Sequence, residues 1–165
     1  MRKFIFSTIL VFSLAIGAVA GNIPMAKPLD SSFWQHSKWI SVVDAPVVTG
    51  KIRGTNIRSA DGASWFMTSV ANEQKVVSAK WMATSLGVHD IYVNGTLVGE
   101  EVLKPGFTHY RKTKVSFTYD VTSLMDCKAG AVNVFSAQVT PGWWADKVIT
   151  PGNNDGMNGK KCAFR

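Results

Sequence analysis

The hydrophobic and polar positions of this chain alternate in short runs, and almost nowhere do they recur with the spacing of a helix. Between Lys75 and Thr84, Ala79, Trp81 and Ala83 alternate with Lys80, Met82 and Thr84, and a period of two puts each set on its own face of a strand. Leu86-Gly87 interrupts the pattern, and a second run from Val88 to Val93 ends at Asn94-Gly95. That dipeptide tolerates the positive φ angles of a tight hairpin, so Leu97-Val98 is predicted to be the return strand. Leu103 to Tyr110, with Pro105-Gly106, reads as a loop. Val115 to Tyr119 resumes the alternation, and Asp120 is placed to cap a short helical turn over Val121 to Met125.

Either side of this centre the pattern repeats. Trp39-Ile40-Ser41 reads as an opening strand, and Trp65 to Ala71 as a strand that is covered on both faces or lies at an edge. The Gly-, Ser-, Asn- and Asp-rich stretch from Asp44 to Gly62 is harder, and Lys51 to Arg58 shows no assignable pattern. Val132 to Val139 is another β run, broken by Pro141-Gly142-Trp143-Trp144, and after a loop from Gly152 to Gly159 the residues Cys162 to Arg165 begin one more strand. No helix of ordinary length, heptad or fixed-period repeat is present. Many short strands joined by Gly, Pro and Asn predict an all-β sandwich of jelly-roll, galactose-binding-like type. The sequence stops four residues into its last strand, so this sandwich is expected to be incomplete at its C-terminal end.

The succession LGVHDIYVNGTLVG, VLKPGFTHY, YDVTSLM and then a β run ending in PGWW resembles the N-terminal β-sandwich domain of bacterial α-L-rhamnosidases. The resemblance covers roughly residues 39 to 165, which defines the expected domain, with 21 to 38 as a lead-in segment. It implies a glycoside hydrolase whose catalytic acids sit in a six-hairpin α/α barrel downstream, and this chain contains none of that barrel. No catalytic residue is therefore carried over. His89 stands where the family often has an aromatic residue.

Residues 1–20 carry Arg2 and Lys3, an apolar run from Phe4 to Ile16 and the small-residue site Ala18-Val19-Ala20. This is the pattern of a secretory signal peptide, and it predicts export to the periplasm or the extracellular space. Eleven acidic residues remain against the basic ones, leaving a modest positive balance. The basic residues are scattered, which suits solvated strand edges and argues against a nucleic-acid partner. In an oxidising compartment Cys127 and Cys162 can pair. If the strands that follow them are antiparallel neighbours, however, the two cysteines lie at opposite ends of the sheet, and two separate thiols are expected.

Sugar hydrolysis needs two carboxylates that bracket a glycosidic bond. The eleven here stand mostly at turns, edges and caps, where solvation or capping explains them. The three histidines are far apart, and no cluster has metal-ligand spacing, so neither cofactor nor metal is expected. Asn153-Asn154-Asp155-Gly156 offers oxygen ligands but lacks the spacing of a calcium loop. Asn94-Gly95-Thr96 matches a glycosylation pattern that its turn geometry already explains.

The binding candidates are Trp143 and Trp144, whose flat faces can stack on a rhamnose-containing glycan, with His109 and Tyr110 as secondary candidates. The competing reading is that these aromatics plug the end of the sandwich or pack on the absent catalytic domain. In extended chain the adjacent tryptophans would point opposite ways, burying one.

Overall fold

The computed structural model describes residues 23, 25–27, 29–41, 47–52, 55–60, 63–145, 158, 159 and 161–165. Eleven strands carry it: β1 Ile40–Ser41, β2 Val47–Ile52, β3 Thr55–Ala60, β4 Ser64–Ala71, β5 Lys80–Ala83, β6 Ser85–Leu86, β7 Val88–Val93, β8 Thr96–Leu97, β9 Phe117–Asp120, β10 Val132–Thr140 and β11 Ala163–Phe164. The helical content is 3-10 turns at Ser31–His36 and Thr122–Leu124 and one α-turn, α1, at Gly142–Ala145. Every strand pairing is antiparallel, and the architecture is an all-β sandwich.

One layer is the four-stranded sheet β4-β10-β7-β8. The run predicted at Val88 to Val93 forms β7, and its side chains alternate: His89, Ile91 and Val93 are buried, while Val88, Asp90 and Tyr92 face outward and are half-buried. Facing this sheet lie the pair β5-β9 and the three-stranded sheet β1-β11-β6. The core between the layers joins Ile91, Val93, Ala137 and Val139 to Ala83, Tyr119, Val121 and Phe164. Each such aliphatic burial stabilises by about 1.5–3 kcal/mol against exposure. Trp81 bridges the layers, meeting Phe135 edge-on at 5.3 Å and Phe164 at 6.3 Å.

Two backbone positions explain the topology. At Asn94-Gly95 the φ angles are 49° and 82°, both in the left-handed region, and this reverses β7 into β8 as predicted. At Gly87 φ is 129°, and a Cβ there would lie 2.2 Å from the carbonyl oxygen of Thr140. Only glycine fits where the chain leaves the small sheet as β6 and enters the large one as β7.

The unassigned stretch around Lys51 to Arg58 falls largely in the β2-β3 hairpin, with Val47 opposite Ala60. The strand starting at Ser64 lies at the edge of its sheet among the described residues. Upstream, Ile23 enters the core and Met25 bridges Tyr119, so residues before the opening strand take part in the packing. Asp120 accepts from the amide and hydroxyl of Thr122 at 3.1 and 2.6 Å, fixing the turn that follows β9.

β11 pairs with β1 and β6 rather than with β10, so the two strands weighed as antiparallel neighbours are not neighbours, and Phe164 joins the opposite layer of the core. No disulfide joins Cys127 to Cys162, in keeping with the separate thiols expected. Their separation therefore comes from membership of different parts of the sandwich, not from opposite ends of one strand pair. The residues read as a signal peptide and the Asn153 to Gly156 loop lie outside the described residues.

Candidate functional site

At one end of the sandwich the structure gathers an aromatic cluster from two segments distant in sequence. Trp143 and Trp144 are on α1, where the amides of Trp144 and Ala145 both donate to the carbonyl of Pro141 at 3.2 Å. The extended conformation expected for this pair is thus replaced by a tight helical turn. Successive residues there diverge by about 100° rather than 180°, and both tryptophans are half-buried.

Trp144 is held from several sides. Its indole N–H donates to the carbonyl of Lys161 at 2.8 Å, its ring meets Tyr110 edge-on at 5.3 Å, and Gly159 lies so close that a Cβ there would be 2.2 Å from the ring. Tyr110 is only 3% exposed, and its hydroxyl reaches the Gly106 carbonyl at 3.4 Å. Burial pushes this phenol above its ordinary range. These two residues are packing anchors.

Trp143 is less committed. Its carbonyl accepts from the Asn158 side chain at 3.0 Å, while its ring meets Phe107 at 6.3 Å. Phe107, which sequence reasoning left out, is 61% exposed and also meets Tyr110 at 5.9 Å. Its signal was its place in the Pro105-Gly106-Phe107 loop, where an exposed apolar residue has no strand to serve. His109 is exposed, and its carbonyl accepts from the amides of Lys112 and Thr113, at 2.7 and 2.9 Å. The structure brings Tyr110, Trp143 and Trp144 together and leaves the His109 ring out of the ring contacts of the cluster.

Beneath this loop lies a buried polar group that the sequence did not signal. Lys104 is 1% exposed. Its ammonium donates to the Val98 carbonyl at 2.9 Å, stands 3.7 Å from Asp90 Oδ1 and lies 5.6 Å from the centre of the Tyr119 ring. Desolvation lowers the lysine's pKa, and the Asp90 and Glu101 carboxylates act against that shift. Glu101 accepts from the Tyr119 hydroxyl at 2.7 Å. The backbone of Lys104 also accepts from His89 N at 2.7 Å, extending the edge of β7.

The described carboxylates mostly have structural partners. Asp30 accepts from Ser32 N at 2.8 Å, Asp126 from Lys128 N at 3.1 Å, and Asp120 and Glu101 are engaged as above. Hydrogen bonds to Ser32 and Thr122 hold the carboxyls of Asp30 and Asp120 below their ordinary range, the opposite of what a general acid requires. Among the described residues no group of three or more His, Cys, Asp or Glu is placed to hold a metal.

The family profile described as "Alpha-L-rhamnosidase N-terminal domain" matches residues 74–165. This chain belongs to that family. An α-L-rhamnosidase of Streptomyces avermitilis is 45% identical over 75 residues, covering 46% of this chain and 7% of the relative. One from Formosa agariphila is 28% identical over 120 residues, covering 73% of this chain and 12% of the relative. Among solved structures, the α-L-rhamnosidase of Aspergillus terreus superposes with a TM-score of 0.65 at 25% identity, over 82% of this chain and 14% of that one. The Streptomyces avermitilis enzyme complexed with L-rhamnose gives 0.54 at 36% identity, over 61% and 9%. The chain thus covers 7% to 14% of the length of these relatives.

Proposed function

We propose that this chain is a non-catalytic accessory module of a secreted α-L-rhamnosidase-type glycoside hydrolase. Cleavage of terminal α-L-rhamnosides then belongs to a catalytic α/α barrel outside it. The observation that carries this reading is the commitment of Asp30, Glu101, Asp120 and Asp126 to turns and to the Tyr119 hydroxyl. Among the described residues, those acids hold backbone and core instead of facing one another across a cleft.

In this reading Phe107 and Trp143, exposed and half-buried at the loop end, form the apolar contact to the neighbouring part of the enzyme. Trp144 and Tyr110 brace that contact from below. The expectation that the aromatics plug the end of the sandwich suits Trp144 and Tyr110 best, because both are held by hydrogen bonds as well as ring contacts.

An assay of the purified chain on a chromogenic α-L-rhamnoside tests the reading. No turnover above the uncatalysed rate is expected, and turnover that tracks the chain through purification overturns it.

A further inference from the structure

The outward face of the four-stranded sheet has a composition that the core does not explain. Gln138 on β10 stands opposite Trp65 on one side and Asp90 on the other, and in the next row Ser136 stands opposite Met67 and Tyr92. All six share the face that points away from the core. Trp65 is 57% exposed and Met67 is 77% exposed. β4 and β7 flank β10, so their backbones lie about 10 Å apart. Yet the Trp65 and Tyr92 rings lean across β10 until their centres are 5.5 Å apart, tilted by 39°. The small Ser136 beneath them leaves room for this approach.

We propose that this face binds a neutral pyranoside, stacked on Trp65 and Tyr92. A sugar presents a weakly apolar C–H face ringed by hydroxyls that donate and accept, and the sheet offers the complement of both. The two rings supply the stacking surface with little rotamer entropy to lose. Around them the side chains of Gln138 and Ser136 and the Tyr92 hydroxyl make no hydrogen bond to other described residues. Stacking faces bordered by available donors and acceptors are what recognition of a sugar requires.

Charge narrows the ligand further. The only carboxylate in these two rows is Asp90, and the Lys104 ammonium behind it at 3.7 Å offsets its charge, so the face favours neither an acidic nor a basic saccharide. A ring pair of this span matches one pyranose and part of its neighbour, which suits a chain end or a short oligosaccharide. This site is separate from the Phe107 and Trp143 patch and goes beyond the accessory reading.

The test is a ¹H–¹⁵N NMR titration of the purified protein with methyl α-L-rhamnopyranoside, a xylo-oligosaccharide and, as the acidic comparison, an oligogalacturonate. With at least one neutral probe, shifts should concentrate at the amides of Trp65 to Met67, Tyr92 and Ser136 to Gln138. Trp65→Ala should weaken that binding about tenfold or more, Tyr92→Phe should weaken it less, and Trp143→Ala should leave it unchanged. Tyr92→Phe keeps the ring and the fold, so it remains informative if Trp65→Ala is poorly folded.

No shift on this face with any neutral probe overturns the proposal, as does preference for the acidic probe. Loss of binding in Trp143→Ala moves the site to the loop and overturns it too. So do sugar-free shifts that grow with protein concentration, which assign the face to a second copy of the chain. None of these outcomes bears on rhamnoside turnover, by which the accessory reading is judged.

Discussion

The His89 imidazole meets the ring of Phe164 edge-on, with centres 5.6 Å apart, in the middle of the sandwich. Its Nδ1 is 2.8 Å from Ser85 Oγ, and Ser85 donates its single hydroxyl proton to the Gly87 carbonyl at 2.9 Å. The Nδ1 must then be the protonated nitrogen, leaving Nε2 as a buried lone pair with no partner among the described residues. This histidine packs in the core as an aromatic ring would.

That geometry sets a pH dependence. Burial, helped by the Lys104 charge, pushes His89 from 6.5 down to about 3. Between those values the unfolded chain binds a proton that the folded one refuses, so stability rises with pH through this window and falls on acidification. A loss on the order of 2–3 kcal/mol is expected between about pH 6.5 and pH 4.5. Urea unfolding at a series of pH values measures it. His89→Phe should flatten the slope while keeping the edge contact, and a slope that survives that substitution rejects the assignment.

Lys104 tests what a buried ammonium contributes. Lys104→Ala removes the charge, the bond to Val98 and the buried aliphatic stem, and should cost about 3 kcal/mol or more. Lys104→Met keeps the stem and removes the charge, and should recover most of that loss. Equal losses for the two in chemical denaturation would show that the charge, rather than the packing, holds the loop.

A trio of asparagines ties the far end of the sheet. Buried Asn133 Oδ1 accepts from Asn94 Nδ2 and from Asp126 N, both at 2.8 Å, and its Nδ2 donates to the Asp126 carbonyl at 3.0 Å. Asn72 Nδ2 donates to the carbonyls of Asp126 and Lys128 at 2.7 and 3.0 Å. Asn133→Ala strands several of these groups at once, and a loss of about 2–4 kcal/mol is expected from thermal unfolding. The same bonds engage both side-chain atoms of Asn94, since Oδ1 accepts from Val134 N at 2.8 Å. Turn and network together account for Asn94 and Gly95 in the Asn-Gly-Thr pattern.

Arg165 clasps the segment before β1. Its guanidinium lies 5.1 Å from the Trp34 ring centre and 5.9 Å from that of Trp39, and Nε donates to Ser37 Oγ at 2.7 Å. The Trp34 and Ser37 carbonyls accept from Nη2. Arg165→Ala should cost about 1–2 kcal/mol, and Arg165→Lys should recover little because an ammonium lacks the planar fork. Intrinsic fluorescence during urea unfolding reports it through Trp34 and Trp39.

Local pattern made much of this legible. Asn94-Gly95 announced its hairpin, and the β-forming runs Val88 to Val93 and Val132 to Val139 announced two strands, though not that Asn133 rather than Val132 or Val134 would turn inward. What stayed hidden depended on distant partners. A lysine beside Pro-Gly reads as solvated, and nothing near Lys104 in sequence shows that Val98 and Asp90 close over it. The two-residue strand at Ala163 pairs with Ser41 across most of the chain, a register no local period encodes. Trp143-Trp144 misled because Pro-Gly signals a break in a strand without specifying that a helical turn follows.

β4 bonds to β10 along one side only, among the described residues. Its other side presents a column of backbone donors and acceptors eight residues long, with the apolar Met67 standing beside it. Such a hem is a template for any extended segment of matching length. At high concentration, lateral stitching of one molecule to the next along this strand is the failure that handling and storage of the protein must guard against.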